Sequence, residues 1–148
     1  MGGETLEEVP RDRRYTKTHE WAKLEEDGAK VRVGLTKHAV EQLGDLTYVE
    51  VKPIGTEVKK GEEMGLVESN KAVDHIYAPI SGKIVEINSD AGVIEEGGTE
   101  ITGELEIVSE DPYGNGWIAV LEPSNLKEEW DTLLSPEDYE KLLSGESH

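Results

Sequence analysis

The sequence predicts a mainly β fold, a sandwich or barrel with a short helix after the second strand and two helices near the C-terminus. Three observations predict it. Short apolar segments alternate at close spacing with turns rich in glycine and proline. They follow one another without the long helical segments of parallel βαβ units. Phe is absent, so Val, Ile and Leu must form the core, which favours strands.

The elements follow in order from the N-terminus. Residues 15–24 are predicted to form a strand, residues 25–28 a turn, and Val31, Val33 and Leu35 to alternate inward on a second strand. The next segment has the features of a short helix. The predicted helix residues are Thr36 as N-cap, Val40 and Leu43 on the apolar face, and Gly44 at the end. Further strands are predicted at 46–51, near Val58, and at 64–68, 73–78 and 84–87.

A weak internal repeat supports a two-fold sandwich, because residues 55–61 resemble residues 91–97 at an offset of 36 positions. The tail is predicted to be helical over 125–134. Ser135 is then predicted to cap a second helix, with Pro136 at its first position. The apolar face of that helix comprises Tyr139, Leu142 and Leu143. Both helices are expected to cover an open end of the sandwich.

The 148 residues fit one domain with a core of its own. Residues 1–13 are polar and are predicted to be a flexible N-terminal arm, residues 14–143 the domain, and residues 144–148 a tail. We expect a cytoplasmic protein, because no segment has the length and apolarity of a signal sequence or a membrane span.

Charge and composition exclude several functions. The net charge of −18 repels nucleic acid and anionic membranes. It fits either a solubility adaptation or docking onto basic partners. The absence of cysteine excludes disulfides, thiolate metal sites and a cysteine nucleophile, so sulfur redox chemistry would need a cofactor. The four histidines are too scattered to predict a metal site.

Lys71 stands in a corner, Glu68-Ser69-Asn70-Lys71-Ala72, between two predicted strands. A tight hairpin gives an exposed side chain on a stiff base, which suits a lysine that an enzyme modifies. The alternative is an ordinary solvated lysine, one of 11 in the chain. The corner resembles the lipoyl-lysine motif, which has an acidic residue three positions before the lysine and Ala or Ser after it. It differs from the biotin motif, in which methionines flank the lysine.

The resemblance extends to the glycine-cleavage H-protein family, in order from about residue 14 to residue 143. The matching segments are Tyr15-Thr16-Lys17-Thr18-His19-Glu20-Trp21, Val33-Gly34-Leu35-Thr36-Lys37-His38-Ala39, Leu43-Gly44-Asp45, Ile76-Tyr77-Ala78-Pro79-Ile80-Ser81-Gly82 and Glu110-Asp111-Pro112-Tyr113-Gly114-Asn115-Gly116-Trp117. It implies a lipoyl/biotinyl-type barrel-sandwich hybrid and a carrier instead of an enzyme. It also implies lipoate in amide linkage to Lys71, with Glu68, Ser69, Asn70 and Ala72 forming the attachment turn.

The implied partners are a lipoate-attaching ligase or transferase, dihydrolipoamide dehydrogenase, and the enzymes that load and unload the arm. The sequence also departs from the family. Asn70 replaces the usual Val before the lysine, and His75 replaces an Asp four positions after it. That Asp and the residue matching Glu20 help to hold the charged amino group on the arm. Asp74 is adjacent, but on a strand it is expected to face the opposite side. The predicted shelter of the arm is therefore Glu20, His75 and Asp74.

These departures, with a long acidic connection at 89–104, favour the sulfur-oxidation branch of lipoate-binding proteins, which works beside a heterodisulfide-reductase-like complex. The alternative is the aminomethyl carrier of the glycine cleavage system. Two other classes stay open from the residues alone. One is an acidic interaction module without a cofactor. The other is a hydrolase that uses His19 and Glu20 as acid and base. Neighbouring residues on a strand point to opposite faces, which argues against this class. His38 is expected to be a surface residue of the short helix.

Overall fold

The computed structural model describes residues 8–146, and its two sheets confirm the mainly β prediction. The strands within this range are β1 Arg14–Tyr15, β2 Glu20–Glu25, β3 Lys30–Leu35, β4 Leu46–Val51, β5 Glu57–Val58, β6 Glu63–Ser69, β7 Val73–Tyr77, β8 Gly82–Ile87, β9 Ile94–Glu95 and β10 Ala119–Pro123. The α-helices are α1 Lys37–Leu43, α2 Glu106–Glu110, α3 Leu126–Glu129 and α4 Pro136–Glu146, and 3-10 turns lie at Glu26–Gly28, Ser89–Ala91 and Trp130–Thr132. None of these helices has both the length and the apolarity needed to cross a membrane.

The two sheets enclose the core. The larger sheet has the order β1-β2-β3-β10-β8-β5, and the smaller has the order β7-β6-β4-β9. Most of the buried residues between them are Val, Ile and Leu, as the absence of Phe predicts. Strand β7 lies at one edge of the smaller sheet, and the lysine corner joins it to β6.

The predicted strand over 15–24 is wrong in its middle. Strands β1 and β2 are separate and antiparallel, with Tyr15 opposite Trp21, and residues 16–19 turn between them. The Thr16 amide donates to the Glu20 carbonyl oxygen at 3.0 Å. The Thr16 and Thr18 hydroxyls lie 2.5 Å from the Glu20 carboxylate. These local bonds compete with an extended backbone, as threonine side chains often do.

The short helix α1 is confirmed. The Ala39 amide donates to the Thr36 hydroxyl at 3.2 Å, which is the hydrogen bond expected of an N-cap. Val40 and Leu43 are buried. Gly44 ends the helix with a φ of 84°, a conformation that favours glycine.

Three elements of the described structure, β9, α2 and β10, were not predicted. Strand β10 lies in the middle of the larger sheet, between β3 and β8. Its first three residues are all buried, so it lacks the alternation of a half-exposed strand and is too short to stand out as a buried one. Helix α2 has only five residues, fewer than a periodic pattern needs to be visible.

The internal repeat corresponds to symmetric edge strands. Strand β5 ends the larger sheet and β9 ends the smaller one. Gly61 and Gly97, which match in the repeat, have φ values of 88° and 91°. The connection at 89–104 is therefore part of the folded core and not only a surface loop. Its Val93 and Ile94 are buried, and its strand β9 pairs with β4.

Both chain ends differ from the prediction. Val9 is buried and its amide donates to the Glu140 carboxylate at 3.0 Å, so residues 8–13 pack on the fold instead of forming a loose arm. Residues 1–7 of that arm lie outside the described residues. Helix α4 continues to Glu146, so only residues 147–148 of the predicted tail lie beyond the described range.

The C-terminal helices are confirmed in part. The segment predicted as one helix over 125–134 is α3 followed by a 3-10 turn, and Leu133 is extended. Helix α4 begins as predicted, since the Asp138 amide donates to the Ser135 hydroxyl at 3.1 Å. Tyr139 is fully buried, in a second small core with Tyr15 and Trp21.

Candidate functional site

Asn70, Lys71 and Ala72 join β6 to β7, and Asn70 and Lys71 form the two-residue tip between Ser69 and Ala72. The Ser69 amide donates to the Ala72 carbonyl oxygen at 2.8 Å. The Ser69 hydroxyl accepts from the amides of Lys71 at 3.2 Å and Ala72 at 3.1 Å. Two-residue hairpins usually need a positive φ, but neither Asn70 nor Lys71 has one. The serine hydroxyl bridges this loop instead.

Lys71 is exposed, and its aliphatic stem lies over the end of α1. A Cβ at Gly44 would lie 3.2 Å from the Lys71 Cε and 3.3 Å from the Asn70 Oδ1. The Asn70 amide donates to the Asp45 carbonyl oxygen at 3.0 Å. Within residues 8–146, no carboxylate forms an ion pair with the Lys71 ammonium group. The hairpin is thus anchored to α1 while its lysine stays accessible.

A cleft of about 330 Å³ begins beside this hairpin. Its lining comes from the β1–β2 turn, α1 and the facing ends of β6 and β7. The lining residues are Thr18, His19, Glu20, Leu35, His38, Ala39, Gln42, Leu43, Val67, Ala72, Val73, Asp74 and His75. Val73 is an exposed apolar residue, with 65% of its surface accessible. The lining therefore combines apolar side chains with carboxylates and imidazoles.

Glu20 is the most deeply buried acid of this cleft, with 1% of its surface exposed. One carboxylate oxygen accepts from the Thr16 and Thr18 hydroxyls, and the other accepts from the Tyr77 amide at 3.0 Å. Burial raises the pKa of the Glu20 carboxyl, while these hydrogen bonds oppose the rise and the nearby Asp74 adds to it. These hydrogen bonds hold the carboxylate in place, but they do not fully offset the cost of removing its charge from water.

The structure corrects the predicted orientation of Asp74. Asp74 lies opposite Val67 on the neighbouring strand, and cross-strand partners share a face. Val67 is buried in the core, as is Ile76, which is two positions after Asp74 on the same face. Asp74 therefore shares the inward face and lines the cleft with Glu20, instead of pointing away from it.

His75 is also among the lining residues, but its side chain turns to the other face of β7. Its Nδ1 lies 3.1 Å from the Glu63 carboxylate, and its ring lies 6.2 Å from the Tyr77 ring. Both partners of this ion pair are partly exposed. The substitution of His75 for an acid thus changes the outer face of the sheet, while Asp74 retains a carboxylate in the cleft.

The two histidines near the start of the cleft also differ from the prediction. His19 precedes β2 with a φ of 73°, so it shares the cleft with Glu20 instead of facing the opposite side of a strand. Its ring lies 4.5 Å from the ring of His38, which is half-buried and lines the cleft instead of being a surface residue. In the described part of the chain, no group of three or more His, Asp or Glu residues is placed to hold a metal ion.

Sequence reasoning missed the apolar part of the cleft and the contact between Tyr139 and His19, one of the lining residues. Leu35, Ala39 and Val67 line it, but in sequence they are indistinguishable from core residues. Tyr139 of α4 reaches His19, with its hydroxyl 2.8 Å from the Nδ1 atom. No local pattern links residues that are 120 positions apart.

The model of the family described as "Glycine cleavage H-protein" matches residues 13–146. The chain belongs to this family. A probable glycine cleavage system H protein of Korarchaeum cryptofilum is 57% identical over 137 residues, which are 92% of this chain and 96% of that protein. The glycine cleavage system H protein of Carboxydothermus hydrogenoformans is 46% identical over 138 residues, covering 93% of this chain and 96% of that protein.

The fold agrees with the family. The crystal structure of a glycine cleavage system H protein from Mycobacterium marinum superposes with a TM-score of 0.72 at 38% identity, covering 88% of this chain and 95% of that one. Glycine cleavage H-proteins are carriers that hold lipoate covalently on a lysine and serve partner enzymes without catalysing a reaction. The predictions of a lipoyl carrier and of its cofactor are thereby confirmed. The names of these relatives favour the glycine-cleavage alternative, and nothing in them supports the sulfur-oxidation branch.

Proposed function

We propose that this protein is the aminomethyl carrier of a glycine cleavage system, with lipoate in amide linkage to Lys71. The observation that carries the proposal is the position of two carboxylates, Glu20 and Asp74, in a cleft that begins at Ala72, one residue after the lysine. An aminomethyl cargo ends in an amine that is protonated near neutral pH. A site for it needs negative charge within reach of the arm.

The residues around Lys71 fit the attachment of lipoate. The lysine is exposed at the tip of a tight loop, so a modifying enzyme can enclose its amine. Ser69 holds that loop with its hydroxyl, and Glu68 lies opposite Val73 at the base of the hairpin. Gly44 leaves room for the aliphatic stem, since a Cβ there would crowd the Lys71 Cε. We therefore assign Glu68, Ser69, Asn70 and Ala72 to the attachment turn.

When bound, lipoate supplies a dithiol/disulfide pair that accepts a group at sulfur. The residues of this chain determine what can be sheltered. Glu20 and Asp74 attract a cationic end group, and such an attraction is stronger in a partly buried cleft than in water. Leu35 and Val67 line the same cleft and offer an apolar surface to the aliphatic part of the arm, with the exposed Val73 at its edge.

The electrostatics of Glu20 support a cation as the guest. A buried carboxylate with a raised pKa is poorly compensated, and an ammonium group beside it would lower that pKa and favour the ionised form. The Thr16, Thr18 and Tyr77 donors already orient both oxygens. Binding of the ammonium group therefore does not require the carboxylate to be ordered first.

The proposed partners follow from the cargo and the charge. A lipoate-attaching ligase or transferase would act at the hairpin, and the glycine cleavage enzymes and dihydrolipoamide dehydrogenase would act on the arm. With a net charge of −18, the protein is expected to associate fastest with partners that present basic surfaces. The heterodisulfide-reductase-like complex is the partner of the competing sulfur hypothesis. That hypothesis depends on an imidazolium beside the arm. His75 fits this role poorly, because its ring contacts Glu63 on the outer face.

Two measurements test the proposal. The intact mass of protein purified from its native host is expected to include one lipoyl group, mapped to Lys71 by peptide analysis. The lipoylated protein is then incubated with glycine and glycine decarboxylase, and aminomethyl loading is expected. An unmodified Lys71 would refute the carrier assignment for this residue. Sulfur adducts on the native arm, together with failure to load from glycine, would instead support the sulfur-oxidation branch.

A further inference from the structure

Tyr139 of α4 contacts two separate segments of the cleft wall through one oxygen atom. Its hydroxyl lies 2.8 Å from the His19 Nδ1 and 2.8 Å from the Thr36 hydroxyl. The two segments also meet directly, since the Thr36 amide donates to the His19 carbonyl oxygen at 3.0 Å. The C-terminal helix thus joins the β1–β2 turn to the start of α1.

Thr36 links the Tyr139 hydroxyl to α1, which forms one side of the cleft. It is the N-cap of α1, and its hydroxyl accepts from the Ala39 amide. The helix has only seven residues, so its first turn depends strongly on the cap. His38 and Leu43 lie on α1 and line the cleft. A bond that fixes the Thr36 hydroxyl therefore fixes the direction in which α1 begins.

His19 transmits the contact to the opposite side. Its φ of 73° is rare for a residue other than glycine, and surrounding contacts must hold it there. The next residue is Glu20, whose carboxylate is the proposed partner of the cargo. The position of the His19 ring and backbone consequently affects where Glu20 enters β2.

Tyr139 is itself rigidly held. It is fully buried and stacks on Tyr15 with ring centroids 4.7 Å apart and planes within 10°. Its amide donates to the Ser135 carbonyl oxygen at 2.9 Å, in the capped first turn of α4. The hydroxyl is therefore a fixed point that contacts both backbone segments.

We infer that Tyr139 is a positioning residue that sets the width of the arm cleft by tying the His19 turn to the first turn of α1. This inference rests on the proposed function in assigning the cleft to the arm. The hydroxyls can be satisfied as a chain in which Thr36 donates to Tyr139 and Tyr139 donates to His19, while Thr36 accepts from Ala39. Removing the phenol hydroxyl breaks both links and leaves the ring stacking intact.

The test compares Tyr139→Phe with Tyr15→Phe in the full-length protein. Tyr15 is a matched control, because it is also fully buried and stacked in the same cluster, and its hydroxyl donates to the Pro10 carbonyl oxygen at 2.7 Å, outside the cleft. Before lipoylation, amide hydrogen exchange in residues 36–43 is expected to rise about five- to tenfold in Tyr139→Phe alone. After lipoylation and loading, the aminomethyl cargo is expected to be lost about five- to tenfold faster in that variant.

The rate of lipoylation by a ligase is expected to stay within about twofold of wild type in both variants, because the hairpin is not touched. Thr36→Ser, which keeps the hydroxyl, should behave as wild type. Thr36→Val removes the N-cap of α1 as well as the link to Tyr139, so its rise in exchange should exceed that of Tyr139→Phe. Equal effects of Tyr139→Phe and Tyr15→Phe on exchange would overturn the inference. Failure of the wild-type protein to load from glycine would count against the proposed function, while the exchange measurement still decides the role of Tyr139.

Discussion

The loop that presents Lys71 is closed by bonds between near neighbours in sequence, with one anchor from Asn70 to Asp45, whereas the adjoining cleft is held by bonds between distant segments. Ser69 closes the loop through residues two and three positions away. In the cleft, Glu20 accepts from the amide of Tyr77, 57 positions away, and His19 meets Tyr139, 120 positions away. The hairpin therefore determines where a group is attached, and the cleft determines which cargo is sheltered.

This difference implies that attachment and shelter can be disrupted separately. A change in the Lys71 side chain should alter attachment while the cleft keeps its shape, because that side chain is exposed and is not among the lining residues. A change in the cleft should leave attachment unchanged and alter the lifetime of the cargo. The following expectations test this separation, from the largest effect to the smallest.

The largest effect is expected from Lys71→Arg. Arginine keeps the positive charge but has no primary amine to form an amide, so lipoylation should be lost completely. Incubation with a lipoate ligase, followed by intact mass, measures this directly. Lys59→Arg is the control, since Lys59 is also an exposed lysine in a tight turn, and it should leave lipoylation unchanged. Lipoyl mass on Lys71→Arg would place the attachment elsewhere.

Glu20→Gln should separate shelter from attachment. The substitution keeps the size of the side chain and removes its charge, and a hydrogen bond to a charged group stabilises more than a neutral one. We expect the aminomethyl cargo to be lost about 10- to 100-fold faster, measured as release from purified loaded protein. Lipoylation should proceed at the wild-type rate. A lipoylation rate that falls by as large a factor as the cargo lifetime would mean that the two regions are not independent.

The raised pKa of Glu20 makes the cleft respond to pH. Burial holds this pKa above its ordinary value of 4.5, so the folded chain binds the proton more tightly than the unfolded chain does. The contribution of Glu20 to folding stability is thus complete below 4.5 and is lost as pH rises through the raised pKa. Attraction for a cation develops over the same rise, because it requires the ionised form.

Urea unfolding of wild type and Glu20→Gln, from about pH 4 to about pH 7, checks this expectation. The difference in unfolding free energy between the two should shift in favour of Glu20→Gln as the pH increases. A difference that is constant across this range would mean that the carboxylate is fully compensated when ionised.

A smaller effect is expected from Gly44→Ala, at the point where the hairpin meets α1. Its φ of 84° disfavours alanine, and the new Cβ would lie 3.2 Å from the Lys71 Cε. Gly61→Ala is the matched control, with a φ of 88° and no atom within 4 Å of the added Cβ. Both should lose about 1 kcal/mol of stability, but only Gly44→Ala should slow lipoylation, by a few-fold. Equal lipoylation rates would show that the stem does not need this space.

The same contrast explains how much could be predicted from the sequence. The hairpin, the Thr36 cap and the start of α4 depend on residues within a few positions, so local patterns were sufficient. The cleft brings together the β1–β2 turn, α1 and the ends of β6 and β7, and the pairing register that does so is not encoded by any local pattern. The left-handed His19 is not marked by a glycine. Strand alternation correctly separated Asp74 from His75 but did not identify which of them faces inward.

The smallest effect is expected at the position that the sequence analysis used to favour sulfur as the cargo. Because His75 pairs with Glu63 on the outer face, His75→Asp should change aminomethyl loading by less than about twofold, and any stability lost with this exposed ion pair should be under about 1 kcal/mol. The adjacent Asp74→Asn is the matched comparison, since it removes a carboxylate from the inward face and should shorten the lifetime of the cargo about five- to tenfold. Loading kinetics with glycine and its decarboxylase, and release of the cargo from the purified loaded variants, distinguish the faces. A marked gain of loading in His75→Asp, with no loss in Asp74→Asn, would reverse the assignment and restore residue 75 as the one that selects the cargo.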